Sequence, residues 1–181
     1  INEILNRNIY PCYFGSALKM IGIDEFLSIL DRFTAEIIRK ESFGAKIFKI
    51  TYDSKGNRLS HMKITGGKLK VRDDIIYINP DGEKITSKVS GIRFYSGEKY
   101  HTAEVAESGE VCAVTGLSGT YAGQGLGIEK NSEKSFLEPV MTYHINFPPE
   151  INVNDVLKNM KILEDEEPQL HILWNEQNKS I

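Results

Sequence analysis

Between Gly44 and Arg72 the chain places eight cationic side chains: Lys46, Lys49, Lys55, Arg58, Lys63, Lys68, Lys70 and Arg72. A single acid, Asp53, stands among them. Lysine and arginine neutralise phosphates and release the counterions around them, so such a segment is the footprint expected of a nucleic-acid backbone contact. The same alternation also suits the solvated face of a half-buried sheet with no partner. The segment carries +7 and the whole chain −3, so the remainder carries −10. The total charge alone argues against a nucleic-acid partner; the segment argues for one.

No other spacing supplies chemistry. There is no G-x-x-x-x-G-K-[ST] phosphate loop. Gly123-Gln124-Gly125-Leu126-Gly127 is glycine-rich, but it does not fit the dinucleotide fingerprint and reads as a structural loop. His61, His101, His144 and His171 are scattered at no metal-ligand spacing, and no metal is expected. No nucleophile–base pair emerges, so no catalytic residue is expected. Glu164-Asp165-Glu166-Glu167 reads as a solvated helix end, with attraction of a metal as the alternative.

The elements around these residues follow from composition and period. The 181 residues are 40% hydrophobic and 26% charged, with mean hydropathy −0.31. Those values exclude a disordered, collagen-like or disulfide-scaffold chain. No apolar run approaches the ~18 residues that cross a bilayer. Two cysteines, Cys12 and Cys112, form no framework, and a reducing cytoplasm is the default. The start lacks an apolar signal core and an initiator Met, which suggests a cut from a longer protein or a processed end.

Ile9 to Phe14 reads as a strand, followed by a Gly15-Ser16-Ala17 turn and an amphipathic helix over Ile23 to Phe33. Arg39 to Ser42 is a polar linker. The period then changes to two. Strands are expected at Ala45–Tyr52, Leu59–Thr65, Ile75–Ile78, Lys84–Phe94, Thr102–Val105 and Glu110–Thr115, joined by turns rich in Gly, Asn, Asp and Pro. Many short strands between 44 and 128 imply a barrel or a sandwich. Val140 to Phe147 reads as a strand, Val153 to Leu163 as a helix capped by Asn152 or Asn154 and ended by Pro168, and Leu170 to Trp174 as another strand. A hairpin turn at 175–179 would return at Ile181.

This order of pieces resembles the middle of a translational GTPase of the elongation factor G type, and among these the tetracycline-resistance ribosomal protection proteins. Gly15-Ser16-Ala17 before Ile21-Gly22-Ile23-Asp24 resembles the fifth guanine-nucleotide motif and the last helix of the GTPase domain. Lys46 to Ile50, Arg58-Leu59 and Gly66 to Asp74 resemble the start of the translation-factor barrel. Ser108-Gly109-Glu110-Val111 resembles its S-G-[DE] turn, and Gly116 to Gly127 its closing loop. Elongation factor G proper tends to have Gly where Arg72 stands; the Arg72-Asp73 pair looks more like the protection branch. Leu163 to Pro168 resembles the helix end of a ferredoxin-like domain.

The resemblance implies a mainly β fold with α+β flanks. It comprises the C-terminal piece of a P-loop α/β domain over 1–40, a translation-factor β-barrel over 41–136, and a partial ferredoxin-like β-α-β domain over 137–181. It implies a cytoplasmic monomer whose barrel docks on small-subunit ribosomal RNA through Arg58, Lys63, Lys68, Lys70 and Arg72. Ser16, Ala17 and Leu18 would be a remnant of the guanine pocket. GTP and Mg would belong to the parent protein, a GTPase; none is expected in this fragment, which lacks the P-loop and is expected to be inactive. The parent would dislodge tetracycline from the ribosome. Elongation factor G-like translocation, a release factor GTPase without a resistance role, and a stand-alone barrel interaction module are the alternatives.

Overall fold

The structure is a computed structural model that describes residues 2–6, 8–34, 40–132, 139–145, 147, 148, 150–175 and 177. The chain divides into two compact units, Ile1–Ile38 and Arg39–Ile181.

In the first unit a short helix, α1 (Asn2–Leu5), precedes a tight turn and the helix α2 (Ile23–Phe33). Asp24 and Glu25 in the first turn of α2 and Arg32 in its last suit the helix dipole. Its C-cap Thr34 turns extended and donates its N–H to the Leu30 carbonyl. The strand expected at Ile9–Phe14 does not form. A lone extended segment has no neighbour to take its backbone groups, and Phe14 stays 97% exposed.

The second unit is built on an antiparallel sheet of six strands. Its strands are β1 (Gly44–Tyr52), β2 (Arg58–Gly66), β6 (Gly91–Ser96), β7 (Lys99–Ala103), β9 (Val111–Thr115) and β10 (Gly125–Gly127), in the order β10-β1-β2-β9-β6-β7. Two ladders complete the barrel: β3 (Lys68–Lys70) with β8 (Val105–Glu107), and β4 (Asp74–Ile78) with β5 (Lys84–Lys88). Burial alternates along β3 and β4, and Ile47, Ile50, Met62, Ile64, Ile92 and Val114 are fully buried. The buried Gln124 donates to the Ile78 carbonyl and accepts from the Tyr121 N–H, as a polar group in a core requires.

The structure differs from the sequence reading at several joints. Lys84–Phe94 is two strands, β5 and β6, separated at Val89-Ser90. The Gly123–Gly127 loop ends in a strand, β10, where Gly127 permits close approach to Phe43 just before β1. Asn152, not Asn154, caps α3 (Val153–Glu166), accepting the Asn154 N–H at 3.0 Å. Pro168 opens a 3-10 turn, Pro168–Leu170, for which its fixed φ is suited. The described residues of Val140–Phe147 and Leu170–Trp174 form no strand. The hairpin turn with its return at Ile181 lies largely outside the described residues. No helix among the described residues is long and apolar enough to cross a membrane.

Candidate nucleic-acid interface

The basic segment folds into β1, β2 and β3 and the turn that follows. Lys68 and Lys70 point outward on β3 while Leu69 between them is 1% exposed, so the pleat alone separates cation from core. Across the ladder Lys68 stands opposite Glu107 and Lys70 opposite Val105. Arg72 is exposed in the next turn, its N–H donated to the Val89 carbonyl at 2.8 Å. Its backbone is left-handed, at φ +75°, where an L side chain is strained. Asp73 folds back to accept the Lys70 N–H at 2.8 Å. Lys63 lies apart from these three, exposed on the outer face of the six-stranded sheet. Among the described residues none of Lys63, Lys68, Lys70 and Arg72 has an ion-pair partner within 4.0 Å.

Arg58 is placed differently. Its guanidinium is turned inward, donating from Nε to Asp165 Oδ2 at 2.6 Å and from Nη2 to Asp165 Oδ1 at 2.7 Å. Nη1 reaches Thr120 Oγ1 at 2.8 Å and the Leu117 carbonyl at 3.1 Å, and Nη2 also donates to the Thr120 carbonyl. Tyr52 completes the clasp, its hydroxyl on Asp165 Oδ2 at 2.7 Å and its N–H on Glu166 Oε1 at 2.9 Å. Burial works to lower the Arg58 pKa, but the hydrogen bond and charge of Asp165 outweigh it and the net shift is upward. Burial likewise works to raise the Asp165 pKa, and the bonds from Arg58 and Tyr52 hold it below the ordinary carboxylate value. Two members of the acidic run, Asp165 and Glu166, are therefore bound to the barrel rather than solvated.

In the first unit Ser16 forms a two-way backbone bridge with Ile21, its N–H on the Ile21 carbonyl at 2.9 Å and the return bond at 3.1 Å. Ala17 and Leu18 occupy the turn it closes, with Leu18 96% exposed. No group of three or more His, Cys, Asp or Glu able to hold a metal occurs among the described residues.

Residues 42–127 match the family model of elongation factor G domain 2. Over those residues the chain carries a domain of the elongation factor G domain 2 family. It is 30% identical over 199 residues to Elongation factor G of Amoebophilus asiaticus, an alignment covering 96% of this chain and 28% of that protein. It is 27% identical to the tetracycline resistance protein TetP of Clostridium perfringens, over 96% of this chain and 27% of that one. Against TetM from transposon Tn5251 of Streptococcus pneumoniae it is 32% identical over 51% of this chain and 16% of the relative. The chain thus spans little more than a quarter of the relatives it follows along most of its length. A crystal structure of a Thermus thermophilus protein shares the fold, with TM-score 0.64 at 19% identity over 94% of this chain and 26% of that one.

The sequence reading passed over a row of exposed aromatic side chains on the same sheet. Its signal was present: Tyr95 and Tyr100 flank the Ser96-Gly97-Glu98-Lys99 turn symmetrically, which pairs them across the hairpin.

Proposed function

We propose that this chain is the ribosome-docking part of a GTP-dependent translation factor, and that its barrel meets small-subunit ribosomal RNA. The observation that carries the reading is the set of exposed, unpaired cations Lys63, Lys68, Lys70 and Arg72 on a barrel of the elongation factor G type. Arg72 adds weight, because an arginine kept in a left-handed turn costs about 1 kcal/mol that a glycine would not. Arg58 is left out of the contact set, since its donors are directed at Asp165, Thr120 and Leu117. Phosphate contacts of this kind position a protein without reading sequence.

The whole protein, on this reading, is a cytoplasmic monomer that uses GTP and Mg and dislodges tetracycline. The similarity to TetP and TetM supports the last point, and the similarity to Elongation factor G keeps translocation as the second reading. The residues of this chain do not suffice to hold GTP: no phosphate loop is present, and Ser16, Ala17 and Leu18 offer only a turn beside a guanine. Isothermal titration of this chain with GTP is expected to give no measurable heat of binding.

Binding to small ribosomal subunits across a salt series tests the docking. Each phosphate contact contributes roughly 0.7 to 0.9 to the log–log slope. Lys68→Glu with Lys70→Glu should weaken binding and flatten the slope by about two contacts. Unchanged affinity and slope would refute the docking. Expressing the parent in a tetracycline-sensitive host separates protection from translocation, since only the first raises tolerance.

A further inference from the structure

The outer face of the six-stranded sheet carries a continuous row of aromatic rings. From Phe48 on β1 the row passes to His61 on β2 with ring centres 6.2 Å apart, to Tyr95 on β6 at 5.7 Å, and to Tyr100 on β7 at 5.3 Å. A bulge between Ile47 and Lys49 turns both Phe48 and Lys49 outward, so β1 presents a ring and a cation side by side. Ala113 on β9, the smallest side chain on this face, lies between His61 and Arg93 in the ladder and leaves the middle of the row low. The rings are tilted by 43–51° to one another, so they do not cover each other's faces. Phe48 is 52% exposed, Tyr100 50% and Tyr95 39%.

The charge on this face is as uneven as the aromatic content. Lys46, Lys49, Lys63 and Arg93 share it, with Asp53 beside Arg93 and Glu129 at the edge, where it accepts from Thr65 at 2.9 Å. Asp53 accepts from Arg93 at 3.0 Å, and the Arg93 guanidinium lies 4.6 Å from the Tyr100 ring centre. Rings interleaved with cations are what a single nucleic-acid strand requires: the bases stack and the backbone phosphates find lysine or arginine. A duplex cannot use the rings, because its base faces are already covered by their neighbours. A protein interface also favours tyrosine, phenylalanine and arginine but is depleted of lysine, whereas Lys46, Lys49 and Lys63 all stand on this face.

We propose that this face is a stacking platform for unpaired RNA bases, with Phe48, His61, Tyr95 and Tyr100 as the rings and Lys49 and Lys63 as phosphate partners. The inference shares its partner class and Lys63 with the docking reading, but its rings and Lys49 belong to it alone.

The test uses the 181-residue chain, fluorescein-labelled oligoadenylate, and the same strand annealed to oligouridylate. The single strand should bind at least about tenfold more tightly than the duplex, since one stacked base is worth about 5- to 150-fold. Phe48→Leu with Tyr100→Leu, both at half-exposed positions, should remove that preference and leave the salt slope unchanged. Tyr100→Phe keeps the ring and should bind as the parent chain does, which separates lost stacking from lost folding. Equal binding of the two probes, or an unaltered preference in the double leucine variant, would overturn the platform. So would a dimer in sedimentation that the leucine variants dissolve, because the face would then be a self-contact. If Lys68→Glu with Lys70→Glu still weakens small-subunit binding while the oligonucleotide result fails, the platform alone falls. If the platform stands while that pair changes nothing, the docking reading falls instead.

Discussion

Arg58 and Asp165 meet as a two-pronged ion pair although 107 residues separate them, and the pair joins the β1–β2 hairpin to α3. Side-chain exposures of 17% and 29% place it where screening is incomplete. Arg58→Ala leaves Asp165 with the Tyr52 hydroxyl as its remaining donor. Stranding one half of such a pair costs about 2 kcal/mol, less than a fully buried pair because water still reaches it. The melting temperature should fall by about 4–8 °C. Amide exchange across α3 should accelerate more than exchange in β9. Arg58→Lys should restore less than half, because an ammonium cannot reproduce the fork.

Gly127 and Gly56 both have positive φ, at +62° and +79°, but they should respond differently to alanine. A Cβ on Gly127 would stand 2.2 Å from the Phe43 carbonyl oxygen, whereas one on Gly56 meets nothing within 4 Å. Gly56→Ala should cost about 1 kcal/mol from its backbone alone. Gly127→Ala must also push β10 away from the residues before β1, and should cost at least about 2 kcal/mol more. Urea unfolding of the two variants measures the difference.

What the sequence made legible followed from period and punctuation. Alternation located β1, β2, β4 and β9, and the helical stripe located α2 and α3, since these patterns are local. The strand β10 was hidden because Gly125-Leu126-Gly127 has one apolar side chain, and its pairing with β1 depends on residues far away in the chain. Arg58 was legible as a cation but not as one half of the clasp. Its partner lies in an acidic run whose composition signals only solvent. The same blindness to cross-strand neighbours hid the row of rings, whose members come from four strands.

Cys12 is exposed and Cys112 buried, both as free thiols. Burial, with Glu110 nearby, pushes the Cys112 thiol up to about 12. Its thiolate is then about one part in 10⁵ at neutral pH, and the thiolate is the reactive form. A thiol reagent should label Cys12 quickly and Cys112 only after unfolding. Labelling of both in the native chain at similar rates would contradict the placement of β9.

Arg72 should show a conflict between stability and binding. Its φ of +75° suits glycine, so Arg72→Gly relieves about 1 kcal/mol of backbone strain. The added freedom of glycine in the unfolded chain returns part of that gain. The variant should therefore melt at or slightly above the parent temperature. Its binding to small ribosomal subunits should weaken, and its salt slope should drop by about one contact. A variant that melts lower would show that the Arg72 side chain is held by the fold itself.

His61 makes the stability of the sheet depend on pH. Burial, and then the charge of Lys49, hold its pKa below the ordinary 6.5. Its Nε2 lies 2.8 Å from Thr51 Oγ1, a partner available to the neutral ring. Well above pH 6.5 the imidazole is neutral in both folded and unfolded chains and contributes no slope. Below 6.5 the unfolded chain takes up a proton that the folded chain refuses, so stability falls with pH until the lowered native value is reached. Asp165, whose native pKa is also lowered, acts in a separate window: its contribution is present above 3.8 and is lost only as pH falls through the native value. The melting temperature should therefore fall as pH drops below about 6.5. His61→Gln, which keeps a hydrogen-bonding side chain that does not titrate, should flatten that part of the curve and leave the acid limb below about pH 4 in place. Superimposable curves for the two proteins across this range would place the titration elsewhere.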